Sequence, residues 1–517
     1  MTPPADAVSG DGRAGDAPPG PIEAGTGAQR PAAHRRALAD RLSLLLYAAI
    51  TATAALATFL TIPILVRLLG LAGFGTWSLI EPIVYLGTAL AVLGAEHGVM
   101  KQVAHDGGDV RRVVGELLPP CLVPLVVATL LAVLVALLAA GSIATALLVG
   151  AVAAVEGVLA FLMVAARASG RLVGFAVGQI GRTLLVLAGL ALVLVVPRLA
   201  IDDVDEVLAV RLALVASTTV LVLGLLAPRF GWSWRRLADA VHYGSGILVT
   251  SLLSLALDVA DRYAVGSMGD EAAVGAYVVH VKVAALVGQG VLMPFMLWFP
   301  TERFRHMRDA DGGEAFFTTT AELFLLVLVI ACGATFLAGP IVVATFAPEV
   351  TYAPGTLAFV LLSMLAIGMT HPLNIGLLRP GQTHKNVYAI ACGLTVLALL
   401  LLPLTALLGP LGAAAARAVG SVAFLVGIAW LSQRVDPVGF ALLRMAAVVV
   451  AAMLAVAALQ LALPGVGLPN VVLRTALFVA LSAAIAAAWC TVGPGRAVGA
   501  SMRDVAMALR PSRPSRA

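Results

Sequence analysis

The chain has 517 residues, 61% of them hydrophobic and 12% charged, with a net charge of +5 and a mean hydropathy of +1.01. A soluble chain of this length carries about 25% charged residues, so the composition excludes a water-soluble enzyme or a nucleic-acid-binding domain and leaves the bilayer as the solvent. The four cysteines (Cys121, Cys332, Cys392, Cys490) lie far apart in apolar runs, which argues against a disulfide framework or a metal site, and nothing in the sequence asks for a cofactor.

Residues 1–40 are rich in Pro, Gly and Ala and read as a disordered cytoplasmic tail. They do not form a signal peptide, because the apolar region starts only after Arg41 and runs too long. Fourteen apolar spans follow, near 42–68, 76–100, 113–138, 141–165, 172–197, 206–227, 241–265, 272–299, 316–338, 354–378, 386–408, 410–432, 439–461 and 470–490. Each is long enough to cross a hydrocarbon core of about 30 Å. With the amino terminus inside, Lys101/Arg111/Arg112, Arg167/Arg171, Arg229/Arg235/Arg236, Arg303/Arg305/Arg308, Arg379/Lys385 and Arg434 all fall on the cytoplasmic side. The opposite connections are poor in Lys and Arg, the clearest being Asp202–Glu206 and Asp270-Glu271, as the positive-inside rule requires.

The predicted class is an all-α polytopic membrane protein of the cell membrane with about 14 transmembrane helices and both termini cytoplasmic. An internal echo suggests how they group. Gly70 to Gly75 and Trp77 in the first hairpin turn are matched by Gly269 to Gly275 and Tyr277 in the turn after the seventh span. The offset is an even number of helices, which gives two parallel-related six-helix lobes, 41–230 and 231–435, with the path between them. An extra two-helix hairpin (436–492) and a cytoplasmic tail (493–517) complete the chain.

Ionisable residues inside the spans are the candidate site, because a charge at membrane depth faces a partner, a wet cavity or a transport path. In the first helix Tyr47, Thr51, Thr58 and Thr61 share a face. Arg67 and Glu81 flank the first turn at similar depth, which predicts an ion pair between helices or a snorkelling Arg67. Glu156 is the only charge between 142 and 166, and Arg182 lies equally far beyond the Arg167–Arg171 turn, so the two are expected to be close. Gly170, Gly174 and Gly178 lead towards Arg182 and would let a helix approach closely. Past the seventh span, the equal-depth argument sets Asp258 opposite His280 and Lys282. Lys282 is one of three lysines and the only one well inside a span; its ammonium suits phosphate, or Asp258 in the absence of substrate. Asp261 and Arg262 are expected to pair near the outer surface. Arg417, among alanines, suggests close packing beside a wet face. No GxxxxGK[ST] loop or other hydrolase motif is present, and no large outer loop carries a catalytic domain.

Three stretches carry a resemblance: Pro63-Ile-Leu-Val-Arg-Leu-Leu-Gly-Leu-Ala-Gly-Phe-Gly75, Asp258-x-x-Asp-Arg262 running to Tyr277, and Leu378-Arg-Pro-Gly-Gln-Thr-His384 followed by Gly409-Pro-Leu-Gly-Ala-Ala414. In order and spacing they resemble the polysaccharide (lipid-linked oligosaccharide) flippases of the multidrug/oligosaccharidyl-lipid/polysaccharide exporter superfamily, over roughly 40–435. The resemblance implies a V-shaped, two-lobed transporter, not an enzyme, that moves polyprenyl-diphosphate-linked glycan to the outer leaflet by alternating access. It also implies work alongside a polysaccharide polymerase and glycosyltransferases. Lys282 stands where members of that family carry Lys or Arg after the Gly-x-Tyr element. On this reading Lys282 and Arg182, with Arg417 and His280, meet the diphosphate and sugar. Glu156, Asp258, Asp261, Glu81 and Arg67 then serve as counter-ions or as proton or sodium sites. The alternatives are a cation-coupled multidrug exporter of the same superfamily, which would need a net acidic cavity, and a membrane glycosyltransferase or polymerase, which would need catalytic groups on a sizeable outer loop.

Overall fold

In this computed structural model, residues 29–196, 203–307 and 312–492 are described. The tails 1–28 and 493–517, Asp202, Arg308 and the side chains of Tyr47, Arg305 and Cys490 lie outside the described residues. Within Met1–Tyr47 the backbone is helical from Gln29, so 29–40, expected as tail, forms helix; the Ala- and Arg-rich sequence there favours it.

From Ala48 onward the chain is a helical unit, and its described residues include thirteen helices long and apolar enough to cross a membrane. They are α1 (Ala49–Ala91), α2 (Leu122–Ala139), α3 (Ile143–Ala168), α4 (Leu172–Val195), α5 (Val204–Leu226), α6 (Trp234–Met268) and α7 (Glu271–Pro300). There follow α8 (Glu314–Phe346), α9 (Pro354–Leu373), α10 (Asn386–Leu408), α11 (Pro410–Val435), α12 (Leu442–Ala462) and α13 (Leu468–Ile485). The 43 residues of α1 would span about twice the hydrocarbon thickness if straight. They are two legs: Gly70, at φ 65° and ψ −178°, breaks the helix, and Thr51 on the first leg lines the same cavity as Tyr85 on the second. Counting both legs gives fourteen crossings, as the sequence predicts.

Two expected boundaries move. The second leg stops at Ala91, where Gly94 takes a left-handed conformation before a short helix, Ala95–Met100. The span expected from 113 begins only at Leu122, because Pro119-Pro120 cannot continue the preceding helix. That earlier piece, Val110–Leu117, is amphipathic, burying Val110, Val113, Val114 and Leu117. The connection between α5 and α6 is laced onto it: the N–H groups of Arg229, Gly231 and Ser233 donate to the carbonyls of Arg111, Gly115 and Glu116. Arg112 and Arg236 both reach Glu116 at 2.6 Å, and the Arg112 hydrogen bond holds that carboxyl below the usual range. Most turns on the opposite face are short and capped in the expected way. Ser142 and Asp270 accept backbone N–H bonds at the starts of α3 and α7, and Pro354 and Pro410 open α9 and α11.

Helices α2 to α5 pack on one another, as do α6 to α11, and α12 and α13 lie against α8. The echoed turns meet face to face. A side chain on Gly75 would run into the carbonyl of Glu271, and one on Gly275 into the carbonyl of Leu71. Trp77 and Tyr277, the aromatics of those turns, are buried, and each reaches a charged cluster. Replacing Gly75 by Val is expected to cost about 1–3 kcal/mol through overpacking. The same change at Gly246, which has open space, should leave the unfolding midpoint of the purified protein in place; a thermal melt in detergent compares them.

Candidate functional site: a charged cavity and a closed ion-pair network

The cavity has a volume of about 420 Å³ and is walled by α1, α4, α5 and α7. Thr58 and Thr61 line it from the first leg, yet their hydroxyls donate to the carbonyls of Ala54 and Ala57 one turn back. They are polar lining that costs no unsatisfied donor. Arg182 and Thr183 enter from a π-helical turn in α4, Gly181–Leu185, and Gln289 from a second such turn in α7, Gly288–Leu292. Turns of this kind break the i→i−4 ladder and are frequent at functional sites. Gly174 and Gly178 allow α4 close to Ala166 and Met163 on α3, which carries Glu156.

Two clusters of charge meet the cavity. In the first, Glu156 is buried and takes Arg182 at 3.3 Å and Arg211 at 2.6 Å. The expected closeness of Glu156 and Arg182 is therefore seen. Arg211 is missed by sequence reasoning, although it is the only basic residue between 206 and 226; its guanidinium also lies over the Trp77 ring at 5.6 Å. In the second cluster, Lys282 on α7 donates to Glu81 on α1 at 2.9 Å, and the Tyr85 hydroxyl donates to the other Glu81 oxygen at 3.2 Å. Tyr85 was legible as the i+4 neighbour of Glu81. The Lys282 and Arg182 side chains remain 21% and 31% exposed, so both cations still face the cavity.

Three expected pairings are replaced. Arg67 is exposed and Glu81 pairs with Lys282, not with it. Asp258 pairs with neither His280 nor Lys282. Asp261 does not pair with the Arg262 side chain; its carboxylate takes only the Arg262 backbone N–H, at 2.9 Å. Instead Arg417 on α11, 1% exposed, ion-pairs with both Asp258 and Asp261 on α6. It also donates to the Asp258 carbonyl at 2.7 Å and to Ser363 on α9 at 3.3 Å. Tyr277 donates to Asp261 at 2.5 Å, and Ser363 pairs with Ser421 at 2.7 Å. The equal-depth argument fails here because it fixes height in the membrane and leaves the direction around each helix open.

His280 is also spent on structure. Its Nδ1–H donates to the Ala276 carbonyl at 2.8 Å, and its Nε2 accepts from the N–H of Ala353 at 2.9 Å, at the end of the α8–α9 connection. Both nitrogens of a neutral ring are satisfied, and neither His280 nor Arg417 lines the cavity.

Comparison with family models and with curated protein sequences gives no match. Comparison with solved structures does. The chain is similar to the lipid II flippase MurJ in an inward closed conformation, with a TM-score of 0.60 at 10% identity, over 87% of this chain and 98% of that one. It is also similar to a MATE protein in a straight conformation, with a TM-score of 0.53 at 13% identity, over 78% of this chain and 96% of that one. At such identities the likeness is one of fold alone, an all-α, many-spanning architecture.

The two networks differ in what they tolerate. Arg417→Met strands the buried carboxylate of Asp261, while the half-exposed Asp258 keeps access to water, and is expected to cost about 3–5 kcal/mol. Arg182→Met removes a partly exposed cation while Arg211 keeps Glu156 answered, and should cost far less. Unfolding of the two variants in increasing denaturing detergent compares the losses.

Proposed function

We propose that the protein is a flippase for a lipid-linked head group bearing a diphosphate, of the polyprenyl-diphosphate–oligosaccharide class, and that its two six-helix halves give alternating access to the cavity. The observation that carries this reading is the charge balance of the site, where Arg182, Arg211 and Lys282 stand against Glu81 and Glu156. That surplus of positive charge suits an anionic cargo.

The physical problem is to move sugar hydroxyls and phosphate charge across hydrocarbon while the lipid tail stays in it. A dry crossing strips each hydroxyl of its hydrogen bonds at several kcal/mol. A cleft lined by Thr, Gln and Tyr side chains replaces them. Lys282 offers a compact charge to the phosphate oxygens, and the partly exposed Arg182 offers a planar fork that matches them. Glu81 and Glu156 are the resting counter-ions that hold these cations in place between cycles. Arg417 and His280 build the frame around the site. The basic connections support a cytoplasmic entry side, and a polymerase and glycosyltransferases are the expected partners at the two ends of the pathway.

The second reading, a multidrug exporter, is favoured by the MATE likeness in fold. It calls for an acidic cavity that attracts cationic cargo. Sensitivity of cells to cationic dyes separates the two, because a flippase of this class leaves it unchanged on deletion. In the producing cell, Lys282→Ala is expected to reduce surface glycan at least tenfold with the protein still present in the membrane. Full export in that variant rules the role out.

A further inference from the structure

Arg262 is the charge that neither network uses. It is 6% exposed on α6, and its Nε has no hydrogen-bond partner. Among the described residues its guanidinium makes no ion pair, and only its backbone N–H is bonded, to Asp261. A buried guanidinium without a carboxylate is an expensive arrangement, kept only where something else needs it. Its position suggests what that is. The neighbouring Tyr263 hydroxyl donates to the Leu79 carbonyl at 2.7 Å, which brings α6 against the second leg of α1 two residues from Glu81. That contact sets Arg262 beside the stretch of α1 that carries Glu81, and Asp258 lies one turn before it on α6. Asp258 and Asp261 are already held by Arg417, so Glu81 is the carboxylate with a reason to move.

We propose that Arg262 is the second seat of Glu81. When phosphate oxygens of an anionic head group take Lys282, the Glu81 carboxylate leaves the ammonium and settles on the waiting guanidinium of Arg262. No bond is made or broken apart from hydrogen bonds, and no net charge is left bare. Without that seat, the incoming phosphate would have to strand a carboxylate that is 8% exposed, and the stranding penalty would be subtracted from its affinity. Arg262 is thus a positioning residue: it acts on the cargo through Glu81. The inference rests on the anionic-cargo reading of the cavity.

The test is a double-mutant cycle. Full-length protein in nanodiscs of neutral lipid is titrated with farnesyl diphosphate as the probe, in the parent and in R262Q, E81Q and the double variant. R262Q is expected to bind about 10- to 100-fold more weakly than the parent, the scale of leaving a buried charge unanswered. In the E81Q background the same change should alter affinity less than twofold, because no carboxylate needs reseating. R262K should recover most of the affinity lost in R262Q. R262Q removes an unpaired buried charge, so its thermal midpoint is expected to stay at or above the parent's, which separates weak binding from poor folding. Parental affinity in R262Q overturns the proposal. An equal loss with and without Glu81 also overturns it, since Arg262 would then act on the ligand directly. A parent that does not bind farnesyl diphosphate at all overturns the anionic-cargo reading first, and the second seat with it.

Discussion

A charge within hydrocarbon persists only where another group in the protein answers it, and that requirement decides which helices are neighbours here. Glu156 binds α3 to α4 and α5 through two arginines. Glu81 and Lys282 bind α1 to α7, and Arg417 binds α11 to α6 and α9. Apart from Glu156 with Arg182, which sit on helices joined by a tight turn, these pairs join segments that no short connection would bring together. Apolar packing between helices gains little in a lipid solvent that is itself apolar, so the polar contacts and the close glycine approaches carry the specificity. The contact of Gly75 and Gly275 with opposing carbonyls does for the backbone what the ion pairs do for the side chains.

The two charged networks stand in corresponding places. Arg211 lies seven residues beyond Val204, the start of α5, and Arg417 lies seven beyond Pro410, the start of α11. Counting both legs of α1, these are the sixth and the twelfth crossings. Each arginine meets buried carboxylate, and each network receives an aromatic from the echoed turn, Trp77 in one and Tyr277 in the other. Their surroundings differ. The network of Arg211 opens on the cavity, whereas Arg417 and Asp261 are enclosed by Ser363, Tyr277 and the Asp258 carbonyl, with the Asp258 carboxylate half exposed at the edge.

Much of the fold was legible because the bilayer constrains it so tightly. Length and hydropathy set the crossings. The boundary errors sit at Gly94 and Pro119-Pro120, where local backbone chemistry stopped a helix inside an apolar run. The site was legible in part. Glu156 and Arg182 met as equal depth on a tight hairpin required. Asp258 and Lys282 did not, because each found a better-placed partner on a helix distant in sequence. Arg417 read as cavity lining, since alanines beside an arginine look the same from sequence whether they border water or another helix. His280 read as facing the cargo, and nothing in its neighbours announced that the N–H of Ala353 would close on it.

The mixed charge of the cavity answers a demand that a purely cationic cleft would fail. As in channels, a site that moves its cargo must bind well enough to admit it and weakly enough to let it go. Bare arginines and lysines in a low-dielectric pocket would hold a diphosphate hard and would repel one another when it left. With Glu81 and Glu156 within reach, every cation of the cavity has an internal partner, so under the proposed function the carboxylates would compete with the cargo. Affinity then becomes a difference between two sets of ion pairs, each well satisfied. Such a difference is small and adjustable, whereas the gain from filling an empty charged pocket is neither. Lys282 and Glu81 lie on α7 and α1, so under the proposed function that same exchange would also change what holds these two helices together.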